Sequence, residues 1–572
     1  MEKSRIIHQG PYLRLNDTTA EGHSPNRKLP WLSFAWMVII GFTLFRAVYA
    51  SLFLLVPDET NYWQWGRYLA WGYHDQAPMI GWAIRISTNL FGPYEWAVRL
   101  PSVLSGLVAS AYLVVMANRW LGSRVAFMTG LTVQSILLFN VGTLLATPDG
   151  LQAAAWVGAA YHVAQAYENG QWKQWLLAGM WFGFGMLSKY TMIIFAGSVF
   201  LYGLMTPMHR QRLLEIRAYI GVLVGLFMFS PVIFWNAAHN WNSVRHVAFI
   251  GGANEQFFFQ LRFIGDFLGS QIALLSPLVF FLVVAAWLRT FFQSCGGDNW
   301  ILRYLFFTSF PMIAIFALLS FHARVYGNWP GAGYLTACLL AVAFYGVRQR
   351  PVWDHRPAGF GKKLWPWALA TAFVFSAIVL GHTAWPFLPI PVRLDRTAAE
   401  TLGWDSLGQK TGEIVTTMPD VSKTFIFGLS YQMASELAFY IPGQPATVSI
   451  NRWERPNVYD YWWTDDELMG WDAVGVTYDP VSHQTRLNQI FERVDPPEEL
   501  RIFRKPVMGE SGPAHVKSFY IYRAYGFKGG LRWIPEQAGD IRVQGSNCRQ
   551  TGDLQFTSFL CAGPCAPGRV AR

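Results

Sequence analysis

The chain has 572 residues, 52% of them hydrophobic and only 14% charged, with a mean hydropathy of +0.22. Soluble domains carry about 25% charged residues, so the composition excludes an ordinary soluble enzyme and indicates a polytopic membrane protein. The net charge of +10 suits nucleic-acid binding at first sight, but basic loops gathered on one membrane face account for it without a nucleic-acid partner.

Residues 1–30 are mostly polar and show no cleavable signal pattern, so they read as a cytoplasmic segment. A spanning helix needs about 20 mainly apolar residues. Stretches of that kind occur near 31–56, 97–117, 125–146, 149–167, 175–188, 190–206, 219–236, 267–288, 304–321, 330–346 and 365–386. Together they predict a membrane domain over 31–386 with about eleven crossings. The fifth and sixth form one apolar stretch, too long for one crossing and short for two, with Lys189 at the break.

With the N-terminus inside, one set of segments collects Lys3, Arg5, Arg14, Arg27, Lys28, Arg119, Arg124, Lys173, Arg210, Arg212, Arg217, Arg289, Arg303, Arg348, Arg350, Arg356, Lys362 and Lys363. The opposite set holds Arg67, Arg85, Arg99, Lys189, Arg245, Arg262 and Arg324. The bias predicts an outer face carrying the Asp58-Glu59 doublet and everything after 387. Beyond that point the material changes. KTFIFGLSY, PATVSI, DAVGVTY and VKSFYIYRAYGF read as strands, and QMASELAFY as a short helix. A small periplasmic α/β domain is expected over 387–530, followed by a Gly/Pro-rich disordered tail over 531–572. Cys548, Cys561 and Cys565 in that tail offer a disulfide pair in an oxidising compartment. No C-x-x-C pair marks a thiolate metal site, and no internal repeat supports a transporter.

Several outer loops carry groups fit for chemistry. Asp58 and Glu59 open a loop dense in aromatics, PDETNYWQWGRYLAWGYHDQAP, in which Tyr62, Trp65, Tyr68 and Leu69 recur at helical spacing. This predicts a helix lying in the membrane interface, followed by a second amphipathic stretch, MIGWAIRISTNLF. The carboxylates there fit acid–base work, and they fit helix capping equally well. Asp149 sits in ATPDG, where a plain turn is the simpler reading. Lys189 in LSKYT could meet a lipid phosphate or snorkel to headgroups. FHARVYGNWP offers His322, Arg324, Asn328 and Trp329, with Arg324 suited to a phosphate. His239 and His246 in FWNAAHNWNSVRH, and His74 with Asp75 in the first loop, could serve as ligands or as acid–base groups. Arg46 lies inside the first span, where a cation is costly and needs a partner. Cations for phosphate, carboxylates for proton transfer and aromatics for a sugar face suit a phosphate-bearing, lipid-linked substrate.

At these residues the chain resembles a known family. PDE-x2-YW, G-Y-x-D-x-x-P, VRLPS, TPD, LSKYT, WN-x3-NW and NWP occur in the order of bacterial glycosyltransferase family 39, over most of 35–345. This group includes relatives of the protein O-mannosyltransferases and the lipid A aminoarabinose transferase. SELAFYIPGQP and YDYWW resemble a subgroup with a C-terminal periplasmic domain. The resemblance implies a GT-C type fold and inverting transfer of one sugar from a polyprenyl-phosphate donor to a lipid, glycan or protein. It implies that Asp58, beside Glu59, is the base, that Asp149 is a second site acid, and that Lys189 lies near the donor phosphate; from the loop reading, Arg324 and Asn328 join Lys189 as donor-phosphate residues. Tyr62, His74 and Asp75 then belong to the substrate loop. Gln76 and Ala77 depart from the family's Tyr-x-Asp-His-Pro-Pro, and the Glu-Lys-Pro-Pro of the aminoarabinose transferase is absent, which argues against that specific activity. Such an enzyme needs no nucleotide. A divalent metal held by Asp58, Asp149 and a loop histidine is left open. The alternatives are a flippase for a lipid-linked sugar, which needs a polar path at mid-membrane, and a ligase moving whole glycans.

Overall fold

The computed structural model describes residues 30–252, 259–292, 300–346, 360–453 and 455–532. The N-terminal segment before residue 30 and the tail with Cys548, Cys561 and Cys565 lie outside the described residues.

Apolar runs form long helices. α1 spans Trp31–Tyr49, and two shorter helices follow it: α2 (Pro57–Arg67) and α3 (Met79–Phe91). α3 is the amphipathic stretch predicted, with Ile80 and Ile84 buried and Ile86, Leu90 and Phe91 exposed. Next come α4 (Glu95–Leu121), α5 (Ser123–Ser135), α6 (Leu137–Gly142), α7 (Pro148–Asn169), α8 (Trp172–Ser188) and α9 (Ile193–Met205). The one-turn α10 (Pro207–Arg210) leads to α11 (Ile216–Ala238), α12 (Asn242–Ile250), α13 (Leu261–Leu275) and α14 (Pro277–Phe292). α15 (Trp300–Phe307), α16 (Phe310–Leu319), α17 (Gly331–Ala341) and α18 (Phe360–Ala384) complete the helical part.

Each of the eleven apolar stretches is helical, yet among the described residues length and hydropathy alone qualify five helices as spans, or seven if each bent pair is one. The stretch read as a single span at 267–288 is broken. Ser276 adopts φ 69°, Pro277 offers no N–H to continue the ladder, and the chain turns by 105° between α13 and α14. The expected break at Lys189 is present: this residue is extended (φ −155°) between α8 and a short 3-10 turn.

The alanine-rich α7 is buried along nearly its whole length and forms the centre of the helical core. α8 and α11 approach through facing glycines. A Cβ on Gly179 would lie 2.1 Å from the Gly221 carbonyl oxygen, and one on Gly221 would lie 2.6 Å from that of Trp175. Small residues at four-residue spacing let backbones meet where the hydrophobic effect gives no help. Arg46, the cation inside α1, is answered by Gln134, which in turn donates to Ser110 at 2.9 Å.

After α18 the chain builds a mixed sheet. α19 (Arg396–Thr401) and α20 (Trp404–Thr416) precede β1 (Thr424–Gly428), α21 (Tyr431–Tyr440) and β2 (Thr447–Ser449). α22 (Asp465–Leu468), β3 (Asp472–Thr477), α23 (Pro480–Ile490), β4 (Phe491–Val494), β5 (Glu498–Arg504) and β6 (Ala514–Phe527) follow. The order is β2-β1-β3-β6-β4, with β5 also on β6; β1 runs parallel to β2 and β3, and β6 antiparallel to its neighbours. Apolar clusters cover both faces of the sheet. The join to α18 is polar and buried: Arg504 pairs with Asp395 and donates to the Ile390 carbonyl oxygen at 3.1 Å.

Candidate functional site

Two helices begin with Pro-Asp, and both acids face the same region. In α2, Val56 is the N-cap, Pro57 holds the first position and Asp58 the second; in α7, Thr147, Pro148 and Asp149 repeat the arrangement. Proline at this position loses no hydrogen bond and presets the helix, and the acid then meets the positive end of the dipole. Neighbours in a helix point about 100° apart, so Asp58 and Glu59 have different surroundings.

Glu59 is fully buried. Its Oε1 accepts from Arg99 Nε at 2.8 Å and from the Ala146 amide at 2.8 Å. Its Oε2 accepts from Arg99 Nη2 at 2.6 Å and from the Val56 amide at 3.0 Å. Arg99 spends its remaining donors on the carbonyls of Ala50, Phe53 and Leu54, at 2.7 to 2.9 Å. The pair ties the loop before α2 to the loop before α7, so it fixes both Asp58 and Asp149. Sequence reading set Glu59 beside Asp58 as a catalytic acid, but every acceptor direction of its carboxylate is taken by the fold.

Asp58 is half-buried. Burial, then the nearby Asp75 carboxylate, push its acid up to about 6, with the Arg455 guanidinium opposing. Tyr62, one turn further along α2, is pushed upward by burial and then by Asp58. Asp149 is bound on both oxygens. Lys189 Nζ donates to Oδ1 at 2.7 Å and Asn328 Nδ2 donates to Oδ2 at 3.1 Å. The extended backbone of Lys189 at the α8 break aims its side chain back at the start of α7. Arg324 is not brought into this group. It is exposed, its guanidinium 5.9 Å from the Tyr326 ring centre.

A second cluster lies beside Asp58. Asp75 Oδ1 is 3.2 Å from His246 Nε2, and the His74 and His246 rings are 4.7 Å apart. Burial pushes the His246 imidazole down to about 4 and lowers that of His74, with Asp75 opposing both. His74, Asp75 and His246 each offer a donor atom within 4.8 Å of the others. Two neutral imidazoles and a carboxylate form a donor set suited to zinc. The set expected from sequence differs, since Asp149 is committed to Lys189 and Asn328. His239 stays apart, stacked 4.2 Å from the Trp235 ring, and His322 contacts the Gly252 carbonyl oxygen at 3.0 Å.

The sheet closes over these loops. Leu55 donates its amide to Tyr440 Oη at 2.7 Å, Gln64 donates to Tyr459 Oη at 3.1 Å, and Tyr68 stacks on Trp462 at 4.4 Å. Asn242 donates to Tyr461 Oη at 2.8 Å. Sequence reading marked SELAFYIPGQP and YDYWW as motifs without a role; they supply these contacts. It missed Arg455, which no local pattern singles out.

A helical membrane bundle whose interhelical loops hold paired acids and a buried lysine beneath an α/β domain is the class that fold and site define. Solved structures of ArnT from Cupriavidus metallidurans, apo and bound to undecaprenyl phosphate, share this fold, each with a TM-score of 0.56, 16% identity, and coverage of 86% of this chain and 98% of that one. Residues 75–235 match the model of the dolichyl-phosphate-mannose-protein mannosyltransferase family. The lipid A galacturonosyltransferase RgtD of Rhizobium johnstonii is 27% identical over 324 residues, which is 54% of this chain and 64% of that protein. Over residues 75–235 the chain is thus similar to that mannosyltransferase family, and it spans a little under two thirds of the length of RgtD.

Proposed function

We propose that the protein is an inverting membrane glycosyltransferase that moves one sugar from a polyprenyl-phosphate donor to an acceptor hydroxyl at the periplasmic face of the inner membrane. The observation that carries this reading is the half-buried Asp58, held by the Glu59–Arg99 pair beside the buried Lys189–Asp149–Asn328 group. The acceptor oxygen attacks the anomeric carbon as Asp58 takes its proton. The bond from that carbon to the phosphate oxygen breaks, and polyprenyl phosphate leaves. Lys189, oriented by Asp149 and Asn328, neutralises the charge that builds on the leaving group. An acid near 6 is ionised at neutral pH, as a base must be. The name of RgtD favours a glycolipid of the lipid A kind over a protein as acceptor. In this reading the chain crosses the membrane about eleven times over 31–386 with its N-terminus inside, and 387–530 forms a periplasmic domain. A divalent ion, if bound, sits on His74, Asp75 and His246.

Mass spectrometry of envelope glycolipids and glycoproteins tests the proposal. Cells lacking the gene and cells carrying Asp58→Asn should both miss one sugar on the same acceptor, with the variant present in the membrane at normal level. Full transfer by Asp58→Asn removes Asp58 as the base. Substrate movement across proteoliposomes without bond breakage would favour the flippase.

A further inference from the structure

The sheet domain brings a guanidinium to the site. After β2 the chain is tied down by polar side chains. Ser449 donates to Asn451 at 2.6 Å, Asn451 to Asp460 at 3.0 Å, and the Asn457 amide to Asp460 at 3.0 Å. Between these anchors stands Arg455, half-buried. Its Nη1 lies 3.4 Å from His246 Nε2 and its Nη2 lies 3.5 Å from Tyr431 Oη, with the guanidinium 5.6 Å from the Tyr431 ring centre. His246 in turn meets Asp75 at 3.2 Å. Arg455 thus stands where the first outer loop, the α12 helix and α21 converge, and its charge acts on Asp58. Its planar fork matches a carboxylate or phosphate in two-point geometry. The Tyr431 ring beside it and the Tyr461 ring, 6.3 Å from His74, give an aromatic wall of the kind sugars pack on.

We propose that Arg455 binds an anionic group of the substrate, either a carboxylate on the transferred sugar or a phosphate on the acceptor, so that the sheet domain sets specificity. The proposal rests on the glycosyl-transfer reading above.

The test uses the full chain in nanodiscs, as wild type, Arg455→Gln and Arg455→Lys. Donors are a polyprenyl phosphate carrying a uronic acid or the matching neutral hexose, and acceptors are bisphosphorylated or dephosphorylated lipid A. Arg455→Gln should raise KM about 10- to 100-fold for the substrate bearing the recognised anion, the usual weight of a charged hydrogen bond, with kcat little changed. Arg455→Lys should recover part of the loss, keeping the charge but not the fork. A loss that follows the sugar carboxylate assigns the donor, and one that follows the lipid A phosphate assigns the acceptor. An equal loss with all four combinations, or none, overturns the proposal. Native mass spectrometry of the same four compounds on wild type and Arg455→Gln reads the contact without turnover. Selective loss of the anionic ligand upholds Arg455 even if transfer itself fails, and equal retention refutes it.

Discussion

Replacing Glu59 separates a scaffolding acid from a catalytic one. In Glu59→Ala, Arg99 stays buried with its charge uncompensated, and the amides of Val56 and Ala146 lose their acceptor. Breaking one partner of a buried ion pair costs about 3–5 kcal/mol, a large share of a typical margin of about 5–15 kcal/mol. Removing both charges should cost less than the sum of the single changes, because no orphaned charge remains. A double-mutant cycle of Glu59→Gln and Arg99→Met should therefore show a coupling of about 2 kcal/mol or more. The assay is thermal unfolding in detergent at fixed protein and lipid concentration, alongside transfer activity. Glu59→Gln should lower Tm by several degrees and lose activity in step with folded protein. An unchanged Tm with activity abolished would refute the reasoning and return Glu59 to the catalytic step.

Three further outcomes are expected. Asp58 is pushed up to about 6, mainly by burial and then by Asp75; a base works ionised, so kcat/KM should fall as pH drops through about 6, approaching tenfold per unit, and a flat profile from pH 5 to 8 would contradict the assignment. Gly179→Leu should abolish a stable fold, since even a Cβ would sit 2.1 Å from the Gly221 carbonyl oxygen, whereas Gly197→Ala, with nothing within 4 Å, should leave Tm within about 1 °C. Elemental analysis of the purified protein should find about one zinc per chain, lost in His246→Ala together with Asp75→Ala, because three ligands are the usual protein share of an open zinc site.

The helical part was legible because membrane spans announce themselves as apolar runs, and the interfacial α3 because its apolar residues recur at helical spacing. β1, β2, β3 and β6 carry the apolar residues of the sheet and were found. β4 and β5, FERV and EELRIFR, present mostly exposed charged residues and bury few side chains, so no pattern revealed them. Asp58, Asp149, Lys189 and Asn328 stood in recognisable motifs, but sequence could not show that Lys189 and Asn328 both answer Asp149. Nor could it separate Asp58 from Glu59, because the distinction is one of direction around a helix. Arg324 looked as good a phosphate ligand as Lys189, since both are cations and its fork suits phosphate; only the loop geometry leaves it outside. The Glu59–Arg99 pair and Arg455 depend on contacts between distant segments, which leave no local trace.

The clamp on α2 joins partners 385 and 395 positions apart, Leu55 with Tyr440 and Gln64 with Tyr459. A ribosome finishes the first loop long before it makes the residues that hold it. The acids of α2 therefore spend most of biosynthesis without their lid, and a chain stalled before residue 431 would sit in the membrane with its helices packed and its site unclosed. Such long-range closure is entropically slow and comes after the helices have assembled. The contacts that close the site are thus the last of its parts to be made, and an unfinished copy would lack them.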